Sequence, residues 1–150
     1  MKKFLVAVLA IFCVSAASAQ ELNLGARFGS GFQVVGQYGL STSNYIEGRL
    51  GTTWAGTEGY NPFDITATYN WKIETMNWTP SVGKWFFDAG VGVNAWAHKY
   101  VSSFAIVGVA RLGLKFNDAP VSLALDWTPG FNFKHGFNGA NICLTAVYHF

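Results

Sequence analysis

From residue 22 onward, apolar and polar side chains alternate at every second position, in runs broken by clusters of Gly, Pro, Asn, Asp and Ser. A period of two marks a strand with one apolar and one polar face. No segment repeats its apolar positions at the 3.6-residue period of a helix. Eight strands are predicted, at 22–29, 32–38, 45–54, 63–72, 85–96, 104–116, 121–127 and 142–150. The fourth is the clearest. Phe63, Ile65, Ala67, Tyr69 and Trp71 share one face, and Asp64, Thr66, Thr68, Asn70 and Lys72 the other. The eighth sets Ile142, Leu144, Ala146, Tyr148 and Phe150 against Cys143, Thr145, Val147 and His149. The four prolines, Pro62, Pro80, Pro120 and Pro129, all fall between runs, because Pro cannot donate to a sheet ladder. The first two runs divide at a Ser30-Gly31 turn; joined, they would make a single 17-residue strand over 22–38.

Alternation alone does not say which face meets solvent. The charges do. Nine lie on the polar faces of strands: Arg27, Glu47, Arg49, Asp64, Lys72, Asp88, Arg111, Lys115 and Asp126. Glu21, Glu58, Glu74, Lys84, Lys99, Asp118 and Lys134 lie in connections or at the start, and none lies on an apolar face. Such exclusion is expected where the apolar face meets lipid, since a Lys or Arg at mid-bilayer costs about 2–4 kcal/mol. The aromatics support this by falling at strand ends. Phe28, Phe32, Trp54, Phe63, Phe104 and Trp127 would band one rim, and Tyr38, Trp71, Phe87, Phe116, Tyr148 and Phe150 the other. The expected fold is therefore all-β: an eight-stranded antiparallel up-and-down transmembrane β-barrel with a polar, side-chain-filled interior. The nine strand charges should form a closed network inside it, with Arg49 and Arg111 each bridging two carboxylates, and should leave no open pore. Strand 142–150 must then pair with 22–29, because an open sheet edge cannot persist in lipid.

Residues 1–19 are predicted to be a signal peptide and 20–150 the barrel. Lys2 and Lys3 precede an apolar stretch, Phe4 to Val14, and Ala17-Ser18-Ala19 is a small-x-small cleavage site. Phe12 before Cys13 argues against lipoprotein processing. Cleavage removes both lysines and leaves 131 residues carrying 8 basic and 8 acidic side chains. That balance excludes a basic nucleic-acid footprint. One cysteine remains, Cys143, so no internal disulfide can form; it is expected as a small inward-facing residue. With the start of the first strand in the periplasm, the outer connections are 30–31, 55–62, 97–103 and 128–141. The last is the longest and holds Phe131, Phe133, His135 and Phe137. The link 73–84 on the other side is unusually long.

Three stretches carry a family resemblance: G-A-R-F-G-S-G-F-Q-V-V-G-Q-Y-G-L (25–40), P-V-S-L-A-L-D-W-T-P-G-F-N (120–132) and the final V-Y-H-F. Together they resemble the small outer-membrane β-barrel proteins called porin-like, and the architecture is similar to the OmpA transmembrane domain and OmpX. Asp126, Trp127 and Pro129 match the D-W-x-P segment that ends the seventh strand in that family. The resemblance implies a Gram-negative outer-membrane location among lipid and lipopolysaccharide. It also implies export through the Sec translocon and signal peptidase, and delivery to the barrel-assembly machinery. Tyr148 and Phe150 would be part of the assembly signal. It implies a barrel alone, without the peptidoglycan-binding domain of full OmpA, and a monomer without cofactor. The expected role is non-catalytic, structural or in cell-surface interaction, with adhesion through 128–141 as one alternative. A lipid A-modifying enzyme is a second. The deacylase pattern His-x-Ser fails at His135-Gly136-Phe137 and at His98-Lys99-Tyr100. An acyltransferase could draw on His98, Ser102 and Ser103, but no amphipathic helix precedes the first strand. His98 and His135 lack metal-ligand spacing. His149 is expected as a packing residue.

Overall fold

The computed structural model describes residues 21–54, 62–73, 80–97 and 102–150. The expected signal segment lies outside them, as do residues 55–61, 74–79 and 98–101 of the expected connections. The strands are β1 Leu22–Gly29, β2 Gly31–Gly39, β3 Asn44–Thr53, β4 Phe63–Ile73, β5 Gly83–Ala97, β6 Ser102–Phe116, β7 Val121–Trp127, β8 Gly130–Asn132, β9 Gly136–Asn138 and β10 Ile142–His149. Every neighbouring pair is antiparallel, and β5–β6 and β1–β10 pairing closes the sheet on itself. β8 continues β7 in the same register against β6, and β9 runs into β10. Ten strand segments thus make an eight-stranded barrel.

The register fixes the barrel's shape. Stepping across the ladder from Val121 leads through Tyr148, Leu24, Gly36, Gly48, Ala67, Val93 and Ile106 to Phe131. Phe131 lies on the starting strand, ten residues further along. A stagger of ten over eight strands tilts them by about 40°. All these residues face out. The inward positions alternate with them, and the outer face carries Leu24, Val34, Ile46, Leu50, Ile65, Val91, Ile106, Leu125 and Leu144 exposed to the surroundings.

One expectation changes. Residues 128–141 are not a loop but the continuation of two barrel strands into a hairpin, with only residues 133–135 as its turn. Three local features build it. Pro129 accepts a hydrogen bond from Gly108 N–H, which keeps β7 and β8 in one line on β6. Asn132 Oδ1 accepts from the Lys134 and His135 amides, forming the turn. Gly136 then takes φ +81°, which favours glycine. The returning strand gains one residue between the β8–β9 and β7–β10 registers, a bulge at which Trp127 Nε1 donates to Gly139 O. At the first hairpin the chain does divide at Ser30, where Gly29 has φ +147°.

The aromatic rims follow the stagger. Tyr38 pairs with Leu22, Tyr148 with Leu24, and Trp71 with Ala89, near the end where β1 begins. We call this the terminal end. At the opposite, hairpin end the band is uneven. Phe131 lies four residues beyond Trp127 along the same line of chain, and so roughly 10 Å above it along the axis, with Phe133 at the turn beyond.

Candidate functional site

Strand parity turns Arg27 of β1, Glu47 and Arg49 of β3, Arg111 of β6 and Asp126 of β7 into the lumen. They meet in one layer, and Glu47, Arg49, Arg111 and Asp126 are each at most 1% exposed. Arg111 uses all five N–H donors. Nε donates to Asp126 Oδ2 at 3.0 Å, Nη1 to Glu47 Oε2 at 2.8 Å and to the Tyr45 hydroxyl at 3.0 Å, and Nη2 to Glu47 Oε1 at 2.8 Å and Asp126 Oδ2 at 2.6 Å. Arg49 bridges the same two acids, with Nε 2.6 Å from Glu47 Oε1 and Nη2 3.3 Å from Asp126 Oδ2. Arg27 reaches Asp126 Oδ1 at 3.2 Å and also donates to Gln33, Thr128 and Asn141. Three guanidinium groups on two carboxylates leave one positive charge in excess. Such an excess is costly in a low-dielectric space unless acids lie near.

Two neutral side chains bring those acids into contact. Tyr45, which accepts from Arg111, donates its hydroxyl to Asp88 Oδ2 at 2.6 Å. Gln33, which accepts from Arg27, donates to Asp64 Oδ1 at 2.8 Å. Asp64 also accepts from Thr53, Thr66, Asn94 and Trp96. The nine strand charges therefore divide three ways. Five make direct ion pairs in the layer. Asp64 and Asp88 join it through Gln33 and Tyr45. Lys72 and Lys115 stay outside it: Lys72 pairs at the rim with Glu21 at 3.4 Å, and Lys115 is exposed. Both sit at the last inward position before a connection, where water reaches an ammonium on its long stem. Sequence parity alone could have found Tyr45, which shares a face with Glu47 and Arg49. Nothing in the sequence marks Thr128 or Gln33 as bridges, because that depends on cross-barrel distance.

The layer divides the lumen. On its hairpin side is a cavity of about 30 Å³ lined by Arg27, Asp64, Asn94 and Thr128 among others. On its terminal side is a vestibule of about 610 Å³. Its floor is Tyr45, Asp88 and Arg111, and its walls include Asn23, Gln37, Phe86, Ala124, Thr145 and Val147. It remains open because the inward residues of β1, β7 and β10 are small there. Ser122 Oγ and His149 Nε2 meet on its wall at 2.9 Å, a contact the sequence did not suggest. A hydrolytic Ser–His pair needs an acid to orient the imidazole, and no carboxylate hydrogen-bonds His149 among the described residues. Nor do the described residues hold a group of three or more His, Cys, Asp or Glu side chains able to bind a metal.

The remaining expected residues lie on the outside. Phe28 and Phe32 are cross-strand partners with ring centroids 5.0 Å apart. Trp54, Phe63, Trp71 and Trp127 are exposed on the outer face, with Tyr38 and Phe116 half-exposed at the terminal end. Tyr148 and Phe150 pack edge to face at 4.9 Å. On the hairpin, Phe131, Phe133 and Phe137 are 51%, 65% and 71% exposed, and Phe133 stacks on Phe104 of β6. His135 is exposed at the hairpin turn, whereas His98 lies outside the described residues.

No protein-family model matches the chain, and no curated protein matches it in sequence. Among solved structures, it is similar to the N-terminal β-barrel domain of Pseudomonas aeruginosa OprF. The TM-score is 0.57 at 11% identity, over 87% of this chain and 96% of that one. At this identity the likeness establishes the fold, an eight-stranded barrel of the same kind.

Proposed function

We propose that this chain is a non-catalytic integral outer-membrane protein, a closed barrel whose role is structural or in contact at the cell surface. One observation carries the reading. The barrel is inside out for a protein in water, with seven charged side chains buried in the lumen and apolar side chains exposed all round. Lipid is the solvent that suits both faces. The likeness to the OprF barrel domain supports the fold on which this rests. The ion-paired layer supports a closed lumen, since five charged side chains from four strands meet across it. In this arrangement the terminal end faces the periplasm and the β8–β9 hairpin faces out.

The test combines heat-modifiability on a gel with surface proteolysis of intact cells. The unheated protein should migrate ahead of the heated one, and cleavage should occur only at the hairpin end. Equal mobility would remove the barrel reading, and cleavage at the 117–120 turn would reverse the orientation. Lipid A of unchanged mass with and without the protein is also expected; an altered mass would replace this role with an enzymatic one.

The exposed phenylalanines favour surface recognition through the hairpin as a second reading. Three rings on a preformed turn present apolar area at low ordering cost. Changing Phe131, Phe133 and Phe137 to Ser should abolish adherence while the folded barrel persists, and unchanged adherence would exclude this reading.

A further inference from the structure

The vestibule at the terminal end has no part in closing the lumen, yet it has the size of a ligand site. Its lining is also unevenly satisfied. Arg111 at the floor has no donor left to give. Thr145, 1% exposed, lines the cavity wall with its Oγ1 buried and without a hydrogen-bond partner among the described residues.

The mouth supplies an independent observation. Lys84 of β5 and Lys115 of β6 are direct cross-strand partners, both exposed and both lining the cavity. Like charges placed opposite each other destabilise a sheet. Neither lysine has a carboxylate within ion-pair distance among the described residues. Lys72 adds a third ammonium, already engaged by Glu21, and His149 lies on the adjoining wall. Between the mouth and Thr145 the wall is apolar on one side. The Phe86 ring lies over Gly113, where an added Cβ would collide with it, and Ala124 and Val147 continue that surface inward.

We propose that the vestibule binds a small amphipathic organic anion from the aqueous compartment at the terminal end. Its phosphate or carboxylate sits between Lys84 and Lys115. Its apolar body lies along Phe86, Ala124 and Val147. The site needs only the barrel fold and holds whichever surface role the hairpin serves.

The experiment places the full chain in phosphatidylcholine nanodiscs and follows backbone NMR shifts as phenyl phosphate is added. Saturable shifts are expected at vestibule positions on β5, β6, β7 and β10. The pair Lys84→Gln and Lys115→Gln should weaken binding about tenfold, because each contributes one near-contact charge in a wet environment. Ala124→Phe should block the cavity. Shifts that fail to saturate, or equal affinity for benzyl alcohol, would overturn the proposal, as would full affinity in the Lys84/Lys115 double variant. Nanodiscs containing phosphatidylglycerol but no phenyl phosphate provide the other arm. If they alone produce the same shifts, the ligand is a lipid headgroup, and the proposed soluble source is wrong. The two lysines are exposed, so their variants retain the fold even if Ala124→Phe does not.

Discussion

Removal of the Arg111 guanidinium is the sharpest test of the lumen layer. Arg111→Met keeps much of the side chain's length but deletes five hydrogen bonds. Glu47 is left with Arg49 and Gln37, and Asp126 with Arg27, Arg49 and Thr128. Both carboxylates remain fully buried. Taking one partner from a buried ion pair costs about 3–5 kcal/mol, because the other charge stays without its counter-ion. The lower end applies here, since both acids keep another arginine and the vestibule lets water reach the gap. With a urea slope of about 2 kcal/mol per molar, the unfolding midpoint in lipid vesicles should fall by roughly 1.5–2 M. Glu47→Gln alone leaves Arg49 and Arg111 sharing Asp126 and should also destabilise. The double variant deletes one charge of each sign and should recover at least about 1 kcal/mol relative to the sum of the single changes. Lys72→Ala, which breaks only the rim pair, should move the midpoint little. If Arg111→Met shifted the midpoint no more than Lys72→Ala, or if the double variant were strictly additive, the layer would not be a coupled network.

Three further outcomes follow from the geometry. An added Cβ at Gly51 would collide with the Phe32 carbonyl, whereas one at Gly48 meets nothing within 4 Å. Gly51→Ala should therefore reduce the heat-resistant folded fraction while Gly48→Ala leaves it intact or raises it, and equal folding of both would refute the steric account. Asn132→Ala removes two hydrogen bonds from the hairpin turn. It should speed amide exchange in β8 and β9 by about five- to tenfold, at roughly 1 kcal/mol, without changing β1–β4. Phe150→Ala, or residues appended after Phe150, should lower the level of assembled barrel in the outer membrane more than it lowers the stability of barrel already formed. Normal assembled levels of both would argue against an assembly role for this end.

The eight-strand pattern was legible because an apolar outer face and a polar lumen make parity nearly absolute. Arg27, Glu47, Arg49, Arg111 and Asp126 could be placed on one face for that reason. Register was not legible. Whether two inward charges touch depends on the stagger of ten residues around the barrel, and no local signal encodes it. Lys72 and Lys115 share the parity of the layer but sit too near a strand end to join it. β6 shows a second limit. Its run from Phe104 to Ala110 is apolar on both faces, so Ala105, Val107 and Val109 give no sign of pointing inward. Pro129 and the two Gly-Phe-Asn triplets around the hairpin turn read as loop composition, although the backbone there continues the ladder. The vestibule was hidden for a related reason: a cavity is a sum of small side chains from non-adjacent strands.

Pairing between β1 and β10 has a consequence for how the barrel is made. Most other contacts join strands adjacent in the chain through short connections, so they form from local hairpins. The closing ladder instead pairs Asn23 with His149 across 126 residues. Bringing such distant segments together costs about 4 kcal/mol in loop entropy if nothing else is formed. Closure is therefore expected last, after the hairpins have aligned the intervening sheet and removed most of that cost. Until that step, the sheet has two bare edges with unpaired backbone groups, at β1 and at β10. Those edges are the points at which a nascent barrel can be templated by a catalyst or lost to aggregation. The rate of the final seam, rather than the strength of the finished ion-pair layer, then sets how much of the chain reaches its folded state.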